Sequence, residues 1–77
     1  MYNVSLYEEG RFCTNIGDPV SSPLEAVGRI RAKVRSINYT ALTDYIGVKF
    51  DRAGTACALL VTDQSNYPIR TSKKMED

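Results

Sequence analysis

The chain has 77 residues, 43% of them hydrophobic and 25% charged, with ten Lys and Arg against nine Asp and Glu for a formal net charge of +1. That length sets one domain with a modest core, the composition excludes a disordered or fibrous chain, and the charge balance is far from that of a dedicated nucleic-acid binder. There is no histidine and there are only two cysteines, which removes the usual general base, the usual metal ligand and any zinc motif.

The first residues, MYNVSLYEEG, hold no basic segment followed by an apolar run. No apolar stretch approaches the roughly 20 residues needed to cross a bilayer. A cytoplasmic, reducing setting is therefore expected, with Cys13 and Cys57 acting as small, partly buried apolar side chains. A disulfide between them would require their strands to lie side by side.

Residues 2–7 alternate, Tyr2, Val4 and Leu6 against Asn3, Ser5 and Tyr7, the pattern of a strand with one buried face. Glu8-Glu9-Gly10-Arg11 is a tight-turn sequence, and Phe12, Thr14 and Ile16 are placed on one face of a second strand, so residues 2–16 are predicted to form a β-hairpin. Pro19 ends it, having no amide hydrogen for a ladder.

A helix is predicted from about Pro23 to Asn38. Ser22 is a good N-cap, Pro23 suits the first helical position, and Glu25 falls three after Ser22, where it can reach back to the cap amide. Val27, Ile30, Val34 and Ile37 recur at spacings of three and four as one apolar stripe. Asp44 to Asp51 alternates again, with Ile46, Val48 and Phe50 opposite Tyr45, Gly47 and Lys49, and is read as a third strand. After the turn Asp51-Arg52-Ala53-Gly54, the continuous apolar run from Ala56 to Val61 suits a central strand covered on both faces. Tyr67 to Arg70 is expected to add a short edge segment. Residues 1–70 thus form a single compact α+β domain, ββαββ, one four-stranded antiparallel sheet with a single helix packed on one face. Residues 71–77 are expected to be a flexible tail.

The helix contains GRIRAKVR, with Arg29, Arg31, Lys33 and Arg35 at alternate positions. On a helix they do not form one row but fall into two pairs flanking the apolar stripe, at roughly 80° and 120° from its centre. The plainest account is that their stems run along the sheet edges while their heads stay in water. The outward face between the pairs carries Gly28, Ala32 and Ser36 at spacings of four, a strip where a partner's backbone can approach closely and where Arg29, Arg31 and Arg35 can fork onto its carboxylates or phosphates. A second candidate surface is the uncovered sheet face with Tyr7, Tyr45 and Lys49. Tyrosines beside a lysine can stack bases, although Ile46-Gly47-Val48-Lys49-Phe50 lacks the paired aromatics of an RNA-recognition motif.

Catalysis is not expected. No base accompanies Cys13, Cys57 or the serines, the glycines follow no phosphate-loop or dinucleotide pattern, and a domain this small leaves little volume for a substrate cleft. No cofactor or metal is expected. In size and in its hairpin-helix-hairpin plan over residues 2–62, the chain resembles the small phage-encoded proteins that inhibit host complexes, anti-CRISPR proteins among them. That resemblance rests on architecture, not on a motif, and so transfers no residue roles. It implies steric inhibition, by binding a partner protein or nucleoprotein complex and no membrane. Two other readings remain: weak nucleic-acid binding through the basic helix flanks, and self-association, as a homodimer, through the open sheet face or an unpaired edge strand.

Overall fold

The computed structural model describes residues 1–34, 40–41 and 45–70. The expected helix end with Arg35, Ser36 and Ile37, and the tail 71–77, lie outside the described residues. The elements are β1 (Asn3–Glu8), β2 (Arg11–Asn15), α1 (Pro23–Val34), β3 (Thr40–Ala41), β4 (Gly47–Arg52) and β5 (Thr55–Thr62). The expected four-stranded antiparallel sheet with one helix is present, and the two residues of β3 extend one edge. The strand order, which the sequence left open, is β2-β1-β5-β4-β3.

Both hairpins close through two-residue turns with positive φ at each position, Glu9 (52°) with Gly10 (79°) and Ala53 (52°) with Gly54 (84°). This is the pattern of type I′ turns, whose twist matches that of the strands they join. The first turn fixes the register of β1 with β2 and the second that of β4 with β5, and in the assembled sheet Ala58 lies between Tyr7 of β1 and Lys49 of β4.

In β2 the expected alternation fails. Thr14 pairs with Leu6 but Phe12 pairs with Tyr7, so Cys13 is an extra residue in a β-bulge. The bulge turns Phe12 to the face opposite Thr14, and the Phe12 ring meets Tyr7 edge-on with centroids 5.9 Å apart. Cys13 is exposed, not partly buried as expected, whereas Cys57 is buried. Because β1 separates their strands, the condition for a disulfide is not met, and both thiols are free.

Ser22 caps the helix as its sequence predicts, its hydroxyl accepting from the Glu25 amide at 3.2 Å. Glu25, however, reaches one residue further back than expected. Its carboxylate accepts from the Ser21 amide at 2.9 Å and the Ser21 hydroxyl at 2.6 Å. The buried stripe is Ala26, Ile30 and Val34, with Val27 only partly buried. The stripe is thus rotated toward Ala26, whose small side chain lets the helix sit close on the sheet. Its partners are Val4, Val48, Leu59 and Val61, the even positions of β1 and β4 and the odd positions of β5. No helix among the described residues is long and apolar enough to cross a membrane.

At its far end β5 is shared. Val61 donates to the Ile46 carbonyl and accepts from the Ile69 amide, while Ile46 donates to Ile69. The segment after β5 therefore wedges between β5 and the start of β4, as the bridge Thr62 to Pro68 also records. Gly47 stands at this fork. A Cβ there would fall 2.3 Å from the Leu59 carbonyl oxygen and 2.9 Å from the Leu60 Cα, and backbone cannot yield as a flexible side chain can.

Two consequences are measurable. Gly47→Ala is expected to destabilise the fold by about 1–3 kcal/mol, the cost of overpacking, in urea titration; an unchanged midpoint would contradict the close approach. The Glu25 carboxyl is held below its ordinary value near 4.5, first by the Ser21 hydroxyl, then by the Ser21 amide, with Ser22 and Arg29 adding to this. A lowered folded-state pKa gives stability that is present above the unfolded value and lost as pH falls through the folded one. The melting temperature should therefore drop more steeply below about pH 4.5 in the wild type than in Glu25→Gln, and parallel curves would refute the contribution.

Candidate functional site: a groove on the open sheet face

Odd positions of β1 and β4 and even positions of β5 face away from the helix. Near Asn3 this face is closed, because the chain after β5 folds over it. Asp63 builds that fold, its carboxylate accepting from the Ser65 and Tyr67 amides at 2.8 and 3.0 Å, with Asn66 at φ 68°. Beneath it lie three buried polar side chains, Asn3, Ser5 and Thr62. The Ser5 and Thr62 hydroxyls are 2.7 Å apart, Ser5 donates to the Asn15 side chain at 3.0 Å, and Asn3 donates to the Asp63 carbonyl at 3.4 Å. Each buried group thus has a partner, as burial requires.

Further along, the face opens. The floor is β5, with Leu60 buried, Ala58 half-buried and Ala56 exposed. Tyr7 rises on one side and Tyr45 with Lys49 on the other, with Pro68 and Gly10 at the ends of a groove of about 400 Å³. A row that reads Tyr7, Ala58, Lys49 across three strands explains the shape: large, small, large. Strand spacing puts the walls about 10 Å apart at their backbones.

Both aromatic walls are fixed. The Tyr7 hydroxyl donates to the Asn66 carbonyl at 2.9 Å, and the Arg70 guanidinium lies 5.3 Å from the Tyr45 ring centroid, a cation–π distance. Burial first, then the Asp63 and Tyr45 charges, raise the Tyr7 phenol above its ordinary value of 10.0, so it stays a donor throughout the neutral range. Lys49 is exposed. Tyr7, Tyr45 and Lys49, singled out from the sequence, are thus brought together. The floor of Ala58 and Leu60 and the Pro68 end were not singled out, although the small residues of the β5 run beside two tyrosine-bearing strands were the available signal.

The described helix candidates divide. Gly28, Arg31 and Ala32 are exposed, and Leu24, also exposed, extends their outward row by one turn. Arg29 does not join them. It is half-buried, and its guanidinium donates to the Ile16 carbonyl at 3.2 Å and to the Asp18 carbonyl. It is a strut that holds the turn after β2 against the helix, a correction to its expected place in a partner-binding strip. Arg35 and Ser36 lie outside the described residues.

Among the described residues no three His, Cys, Asp or Glu side chains gather as metal ligands. Loss of hydration first, then the Glu8 carboxylate, raise the exposed Cys13 thiol above its ordinary 9.0, the reverse of what a nucleophilic thiolate needs. No protein-family model matches the chain, and no curated protein or solved structure matches it either.

Tyr7→Phe deletes only the hydroxyl that meets Asn66. We expect a loss of about 1 kcal/mol, the usual net value of such a bond, in denaturant titration, together with faster amide exchange at Asn66 and Tyr67. Unaltered exchange there would mean that the phenol does not hold the covering turn.

Proposed function

We propose that this protein is a small, non-catalytic, cytoplasmic binding protein that acts by occupying a surface of a partner protein or nucleoprotein complex, as an inhibitor of the kind it resembles in size and plan. The groove carries this reading. An apolar floor between two anchored tyrosines, with one exposed lysine at the wall, has the composition of an interface centre, where rigid aromatics supply contact area at low entropic cost. Its polar groups are two phenols and an ammonium, which suit holding a surface.

Phosphate binding by the helix has less support, since Arg29, one of its cations, is bound to the Ile16 and Asp18 backbone carbonyls. The test is affinity capture by the tagged protein from host lysate, with and without nuclease. One protein complex retained after nuclease is the expected result. Tyr45→Ala with Lys49→Glu should abolish that capture, whereas Ala32→Trp, on the outward helix face, should leave it. The opposite pattern would move the interface to the helix, and loss of all capture with nuclease would replace a protein partner by nucleic acid.

A further inference from the structure

We infer that the groove receives one aromatic side chain of the partner protein, with an acidic residue adjacent to it in the partner's sequence pairing with Lys49. This rests on reading the open sheet face as the binding surface, and it names the chemistry that this surface selects.

The shape argues for a ring. Tyr7, Ala58 and Lys49 are lateral neighbours in register, so a flat group laid on the Ala58 methyl is flanked on one side by the Tyr7 ring and on the other by the lysine stem and Tyr45. At about 400 Å³ the groove is at the small end of ligand cavities, which run to about 1,000 Å³; that suits a side chain inserted from a surface better than a folded ligand. Because Tyr7 is tied to Asn66 and braced by Phe12, and Tyr45 lies under Arg70, the walls lose little freedom when a ring enters.

Charge selects between classes of partner. Lys49 and Arg70 stand on the Tyr45 side, and the one ion pair among the described residues is Arg52 with Glu8, so Lys49 has no acidic partner among them. At the Gly10 end the sign reverses. Asp51 pairs in register with Ala56, and the Glu9 carboxylate accepts from the Ala56 amide at 3.4 Å. A sugar-phosphate chain running along the groove would carry its charges onto those two acids, whereas a single carboxylate beside an aromatic ring can sit at Lys49, across the groove from the Asp63 charge that acts on Tyr7. The arrangement therefore favours an acidic-aromatic protein segment over a nucleic acid.

The experiment is an amide chemical-shift titration of the full chain with blocked dipeptides, acetyl-Glu-Trp-amide, acetyl-Lys-Trp-amide and acetyl-Glu-Ala-amide, and with adenosine monophosphate. Saturable shifts centred on Tyr7, Lys49, Ala58 and Leu60 are expected with Glu-Trp, binding up to about fivefold weaker with Lys-Trp, the ceiling for an exposed ion pair, and none with Glu-Ala. Lys49→Met should equalise the two tryptophan peptides. Ala58→Leu fills the floor and should abolish binding; Ala58→Val, a smaller change, should weaken it if the leucine variant does not fold. No saturable shift with either tryptophan peptide would overturn the inference, as would binding unchanged in the Ala58 variants. Tighter binding of the nucleotide would overturn it in favour of a base-stacking site. Should the dipeptides fail while lysate capture still depends on Tyr45 and Lys49, the surface stands and only the aromatic occupant is removed.

Discussion

Everything in this fold is arranged around β5. It is the longest strand among the described residues and lies at the middle of the sheet, and its residues from Leu59 to Thr62 are buried on both faces. The described residues hold one helix as cover, and a helix can cover only one face. The helix takes the side of Leu59 and Val61, leaving the side of Ala56, Ala58 and Leu60 to be dealt with by other means. Among the described residues the chain does so unevenly, by folding the segment after β5 back over Thr62. The groove is what that return leaves uncovered.

The uneven cover is chemically marked. Where the return lies on the sheet, the contact is polar, Asn3 donating to the Asp63 carbonyl and Tyr7 to the Asn66 carbonyl beside the paired Ser5 and Thr62 hydroxyls. Where it ends, apolar side chains form the floor. A buried polar network specifies one placement of a segment because only one placement satisfies every donor, so the return is held at a fixed point and the groove has a fixed end at Pro68. Tyr7 belongs to both regions: its hydroxyl bonds to the return and its ring walls the groove. Gly47 makes a related contribution, since the splitting of β4 from β5 that admits the return requires the close approach to Leu59 and Leu60 that a side chain would block.

Much of this was legible in the residues. Ser22, Pro23 and Glu25 announce the helix start because capping is local chemistry, and the alternation of β1 and β4 assigns their faces because the pleat has period two. The run from Ala56 to Val61 announces a central strand. What failed was non-local. The bulge at Cys13 adds one residue to a period-two pattern and so turns Phe12 over, which no count along the chain reveals. Asn3 and Ser5 read as solvent-facing because their cover comes from residues about sixty positions away. Arg29 read as a cation bordering the outward strip, yet the carbonyls it binds belong to a turn whose place beside the helix is set by the whole sheet.

The fate of Arg29 bears on how short basic stretches are read. Four cations at alternate positions look like a set, but a helix disperses them, and each then answers to its own surroundings. Arg29 meets carbonyls left unpaired where β2 ends, and a charge-assisted bond to them outweighs a head in water. Lys49, isolated in sequence, has the opposite history. The strand fixes it beside an apolar floor, on the wall it shares with Tyr45 and across from Tyr7, where its charge is exposed to a partner. A single cation placed next to a hollow selects a ligand more sharply than several dispersed over a helix, because the hollow fixes where the ligand's own charge must be.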